Sequence, residues 1–102
     1  MTYIIKFDSR FDADYAKFAN EHPELVDDLD DALDYLQEHG TLPDGYSPHV
    51  LTNPGGNYNG HWEFHVAGDI DVLVLYWHRQ GRSIIRLVRI GSHAELFQGE
   101  LQ

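Results

Sequence analysis

GHWEFHVAGDIDVLVLYWHRQGRSIIRLVRIG, residues 60–91, contains three runs rich in β-branched and aromatic residues, at about 60–67, 71–78 and 83–91. The last two are joined by HRQGR, in which Gly81 takes the usual hairpin role. In the first run Trp62, Phe64 and Val66 alternate with His61, Glu63 and His65. A strand turns successive side chains to opposite faces, so one face is apolar and the other carries three ionisable groups. Runs this closely spaced predict an antiparallel meander whose apolar face must be covered by something else.

The cover comes from upstream. TYIIKF (2–7) reads as a first strand, and Ser9 followed by Asp12 resembles a capping box. Phe11, Tyr15 and Phe18 then recur at helical spacing, predicting a short helix over about 10–20. A second helix is framed by Pro23, suited to a first helical position, and Gly40, suited to the position past the end. Leu25, Leu29, Leu33 and Leu36 line one of its faces, and Asp27, Asp31, Asp34 and Glu38 the other, which reads as a solvated face. Residues 41–59 form a connection with turns at Pro43-Asp44-Gly45 and Pro54-Gly55-Gly56. The expected architecture is α+β, in the order β-α-α-β-β-β. Two helices pack on a small, mainly antiparallel twisted sheet, and residues 1–102 form a single domain.

Composition narrows the chemistry. The chain has no cysteine, so thiolate metal sites and cysteine nucleophiles are excluded. No apolar stretch approaches the ~20 residues of a membrane span, so a soluble, unprocessed, cytoplasmic protein is expected. The net charge of −10 is uneven: residues 1–44 hold 12 acidic and 3 basic side chains, residues 45–102 hold 5 and 4. Eight carboxylates and no Lys or Arg lie between Glu21 and Glu38. That half repels nucleic acid, whose binding depends largely on counterion release by Lys and Arg. In the other half Arg79, Arg82, Arg86 and Arg89 lie close together, either as a phosphate site or as solvated turn and strand-edge residues.

A polar set runs through the same half: His49 in SPHVL, His65 in the first meander strand, Asp69 or Asp71 after it, then Arg89, His93 and Phe97 in RIGSHAELF. The run LPDGYSPHVL (42–51), the spacing GHWEFHV, the aspartate after it and the RIGSHAELF ending together resemble the RelE superfamily of bacterial type II toxins, in its YafQ-type branch. The motifs span roughly residues 42–97, and the element order covers the whole chain.

The resemblance implies a small cytoplasmic endoribonuclease that cuts mRNA on the ribosome, needs no metal or small-molecule cofactor, has no membrane partner, and is neutralised by a cognate antitoxin. Carried over by position, His49, His65, Asp69, Arg89 and His93 are the catalytic set and Phe97 contacts substrate; Arg86, from the arginine cluster, is expected to contact substrate as well. The family's aspartate lies four residues after the strand histidine and five before a strand tyrosine. Asp69 meets the first spacing and Asp71 meets the second against Tyr76, so both stay in view. Family members are usually basic on their helices, where this chain is acidic.

Metal-free RNA cleavage needs a base for the ribose 2′-hydroxyl, a donor for the charged phosphorane and an acid for the departing 5′-oxygen. Histidine serves either proton role near neutral pH. The expected roles are His93 as acid, Asp69 or His49 as base, Arg89 as phosphate clamp, His65 as orienter or second proton carrier, and Phe97 as a stacking surface. Two alternatives share these residues. His49, His65, His93 and an aspartate could converge on zinc, although His61 and His65 are ~13 Å apart along one strand and no metal motif is present. Alternatively the fold serves as a catalytically inactive module that binds an antitoxin.

Overall fold

The computed structural model describes residues 2–52, 58–79 and 81–98. Strand β1 (Ile4–Phe7) leads into helix α1 (Ser9–Glu21), a single 3₁₀ turn (Pro23–Leu25) and helix α2 (Val26–His39). The start of α1 is capped by Asp8, not Ser9: the Asp8 carboxylate accepts the Arg10 backbone N–H, and the same arginine's side chain binds it again. Pro23 opens the 3₁₀ turn, and α2 ends at Gly40 with φ 75°, the left-handed conformation that glycine tolerates best.

The turn-rich connection holds a further strand. His49–Val50 forms β2, paired antiparallel with β3 (Trp62–Ala67). Two residues of strand are too few for a periodic signal. The Pro54-Gly55-Gly56 turn lies outside the described residues. Then β4 (Ile70–His78) and β5 (Ile84–Gly91) complete a five-stranded sheet in the order β1-β5-β4-β3-β2. All neighbours are antiparallel except β1 and β5, which run parallel with Ile4 opposite Ile84 and Phe7 opposite Leu87. A final π-type turn, Ala94–Gln98, follows β5.

Both helices lie on one face of the sheet. Leu25, Leu29 and Leu36, with Phe11 and Phe18, close over Phe64, Val66, Val72, Val74, Tyr76, Ile85, Leu87 and Ile90. Fully buried Leu and Phe side chains each contribute roughly 1.5–3 kcal/mol, which holds α2 despite its rows of like charge. Trp62, Phe64 and Val66 do turn toward the helices, as their alternation required. The other face has a smaller core of Tyr58, Leu73, Leu75, Val88 and Leu96. Strand β4 is therefore buried on both sides, which explains its unbroken apolar run. Beside this smaller core the second face is open.

Candidate active site on the open face of the sheet

The open face collects the polar set. Glu63 is 3% exposed, and its Oε1 lies between two imidazoles, 3.4 Å from His49 Nε2 on β2 and 3.6 Å from His65 Nε2 on its own strand. Pairing of His49 with Glu63 across β2 and β3 sets the first contact, and two-residue periodicity sets the second. His49 is oriented from behind, because its Nδ1 meets the Ser47 carbonyl at 2.9 Å and leaves Nε2 facing the carboxylate. Ser47 has φ 51°, so the chain turns sharply there to present the histidine. These Nε2–Oε1 distances exceed a formed hydrogen bond and are contacts that a bound substrate can tighten.

The row continues to the chain's last turn. The His65 and His93 rings are 6.0 Å apart, as are those of His93 and Phe97. His93 Nδ1 is 2.7 Å from Asp71 Oδ1, and the His93 backbone N–H donates to the same oxygen at 3.2 Å. That bond from His93 holds the Asp71 carboxyl below its ordinary range. With Nδ1–H committed to a carboxylate, the Nε2 atom of the exposed His93 side chain is left to exchange protons.

Ser92 and Glu95 fix the turn that carries His93. The Ser92 N–H donates to Glu95 Oε1 at 2.9 Å and the Glu95 N–H to Ser92 Oγ at 3.1 Å, a reciprocal capping box. Glu95 also binds Lys17 on α1, and that bond first, then the Ser92 amide, lowers its pKa to about 2. The signal was present as Ser-x-x-Glu within SHAE. It escapes a reading that searches for capping boxes only ahead of long apolar runs.

Of the expected residues, the structure brings His49, His65, His93, Phe97 and Asp71, the alternative to Asp69, onto one face, and adds Glu63. Asp69 stands exposed in the β3–β4 turn, whereas Asp71 makes the contact with His93. Arg89 is turned toward α1. Val88 has no register partner, because Leu75 pairs with Arg89 and Tyr76 with Leu87, and this bulge re-aims the arginine. Its Nε and Nη2 donate to Asp14 at 2.5 and 3.2 Å, and its Nη1 donates to the Tyr58 hydroxyl. Asp14 first, and Tyr58 after it, raise the arginine's pKa above its ordinary value. Arg86 lies farther along β5, on the open face beside Trp77. Among the described residues no group of three or more His, Asp or Glu is placed to hold a metal ion.

One carboxylate between two imidazoles, next to a carboxylate-oriented third imidazole and an aromatic ring, is an arrangement for moving protons beside a flat ligand. The comparisons with known proteins agree with the fold. The family model described as a bacterial toxin of type II toxin-antitoxin system, YafQ, matches residues 3–98. Among solved structures, YafQ from E. coli is 24% identical, covering 93% of this chain and 98% of that one, with a TM-score of 0.74. The E. coli DinJ-YafQ toxin-antitoxin complex gives 24% identity, coverage of 95% and 99%, and a TM-score of 0.73. A copper-bound mutant toxin from Helicobacter pylori gives 23%, 93% and 99%, with a TM-score of 0.74. No curated protein matches.

Proposed function

The chain belongs to the YafQ family, the bacterial toxins of type II toxin-antitoxin systems, and we propose that it acts as the toxin of such a pair by cutting mRNA on the ribosome without a metal. The observation that carries this reading is the continuous row His49, Glu63, His65, His93 and Asp71, edged by Phe97.

In the proposed reaction the ribose 2′-oxygen attacks the adjacent phosphorus as its proton passes to a base. His49 Nε2, with Nδ1 held by the Ser47 carbonyl and Glu63 beside Nε2 to take the proton on, is suited to that role, and Asp71, not Asp69, makes the contact with His93. The P–O5′ bond breaks as His93 Nε2 delivers a proton to the leaving oxygen. The products are a 2′,3′-cyclic phosphate and a 5′-hydroxyl. Asp71 stabilises the protonated form of His93 and fixes its tautomer. Glu63 and His65 lie between His49 and His93 and offer a route for the proton taken at His49 to return toward His93 once substrate tightens these contacts. Phe97 stacks on a base beside the scissile bond. Arg89 serves as the clamp on phosphate only by sharing its guanidinium with Asp14.

The complex of DinJ with YafQ supports a cognate antitoxin as the protein partner of this chain. The test is induced expression of the wild type beside His93→Ala and His49→Ala, with mRNA 5′ ends mapped. Growth arrest and in-frame cuts that need both histidines support the reading; removing a catalytic acid or base typically lowers the rate by about 100-fold or more. Cleavage that survives both substitutions removes the assignment. Absence of any effect on growth leaves the fold as an antitoxin-binding module.

A further inference from the structure

Of the seven Lys and Arg residues, three are paired within the fold: Arg10 with Asp8, Lys17 with Glu95 and Arg89 with Asp14. The other four, Lys6, Arg79, Arg82 and Arg86, are exposed and make no ion pair with a described residue. They gather around one hairpin. Arg79, Arg82 and Arg86 line a shallow recess of about 280 Å³ with Trp77 and Ile84 at the β4–β5 turn. Lys6 sits directly opposite Arg86 on the neighbouring strand, and Arg86 opposite Trp77 on the other side.

Like charges opposite each other in a sheet are destabilising. The Asp8 carboxylate feels Arg86 but is hydrogen-bonded to Arg10. The Lys6–Arg86 pair is thus a cationic pair awaiting an anion. The aromatic side of the row is equally open. Trp77 is 43% exposed, and its ring lies 4.8 Å from that of His61. Burial keeps His61 below the ordinary histidine range, so its ring packs beside the indole as a neutral aromatic.

Lys6, Arg86, Trp77 and His61 therefore form one row across β1, β5, β4 and the residue just before β3, on the face away from the helices. His61 is two residues from Glu63, so this row is ~7 Å, one pleat repeat, from the His49–Glu63 row. Cations alternating with exposed rings suit a single strand of nucleic acid, whose phosphates and base faces they meet together. The eight carboxylates between Glu21 and Glu38 lie on the helix side. A Debye length of about 10 Å at ~0.1 M salt weakens their repulsion across the sheet and leaves it strong at the helices.

We propose that the Lys6–Arg86–Trp77–His61 row, with Arg79 and Arg82 at its edge, is a docking strip for single-stranded RNA that feeds the strand onto the histidine row. The strip deepens the ribonuclease reading and rests on it, but it is tested by binding instead of cleavage. The probe is a fluorescein-labelled 2′-O-methyl oligoribonucleotide of about 12 nucleotides, whose blocked 2′-oxygen cannot attack. Its anisotropy is titrated with the full chain over a range of salt.

Replacing Arg79, Arg82 and Arg86 with Gln is expected to weaken binding about 100-fold at ~0.1 M salt and to lower the salt slope by about 2. Replacing all three with Lys retains the slope. Trp77→Ala weakens binding about 10-fold with the slope unchanged. Thermal midpoints of the exposed-site variants verify folding. Binding that the Gln variant leaves intact overturns the proposal, as does failure of the folded wild type to bind RNA. Tighter binding of a polyglutamate peptide than of RNA also overturns it, in favour of an acidic protein partner. If the strip binds RNA and the wild type cuts none, the strip stands and the nuclease reading falls.

Discussion

Two aspartates separated by one residue show how a single side chain decides a site. Asp69 and Asp71 both satisfy a sequence spacing, and only Asp71 touches His93. The reason is geometric: Asp71 is on β4 beside the end of β5, where Leu73 pairs with Gly91, while Asp69 is in the turn beyond the ladder. Asp71→Asn is expected to lower cleavage about 10- to 100-fold, and Asp69→Asn by no more than about 3-fold, when initial rates are compared on one RNA. The carboxyl of Asp71 is depressed in the folded state, so it adds stability above its unfolded value near 3.8 and loses it as pH falls through the lower, folded value. His49, His65, His93 and Phe97 were legible because each keeps its motif. Glu63 was legible only as a residue on the polar face, since its burial depends on two-residue β2, which no pattern announces.

At the scale of elements, two contacts fasten α1 to the end of the sheet: Asp14 to Arg89 and Lys17 to Glu95. They hold the strand and the turn that carry His93. Glu95→Gln removes a carboxylate whose pKa is lowered from 4.5 to about 2, so the stability it contributes is complete above pH 4.5 and lost as pH falls toward 2. Urea midpoints of wild type and variant should therefore differ at neutral pH and converge in that acid window. The helix end is equally specific. A Cβ at Gly40 would lie 2.4 Å from the Tyr3 ring, on a backbone with positive φ. Gly40→Ala should cost about 1–3 kcal/mol in denaturant unfolding. Both helices and the meander were readable from periodicity. The cap at Asp8, the β5 bulge and the final turn were not, because each depends on hydrogen bonds between residues that carry no apolar period.

Across the whole molecule the dominant feature is the separation of charge by the sheet. The acidic α2 surface was visible in the sequence as a row of carboxylates, but the position of the unpaired cations was not, because Lys6 and Arg86 are 80 residues apart in the chain and meet only through strand pairing. Asp31 has Asp27, Asp28 and Asp34 as helical neighbours, so Asp31→Lys turns three repulsions into attractions. A gain of about 0.5–1 kcal/mol is expected at low salt, shrinking toward zero in ~1 M salt, read as a shift in thermal midpoint.

The parallel pairing of β1 with β5 also sets an order of assembly. The first strand has its sheet partner in residues 84–91, so during synthesis, at ~5–20 residues per second, it waits several seconds for the other half of its ladder. Until β5 seats between β1 and β4, the histidine contributed by the last turn has no place beside the one on β3. The candidate site is therefore incomplete while the chain is being made, and a partner that engages the unfinished chain would meet it before His93 is in place.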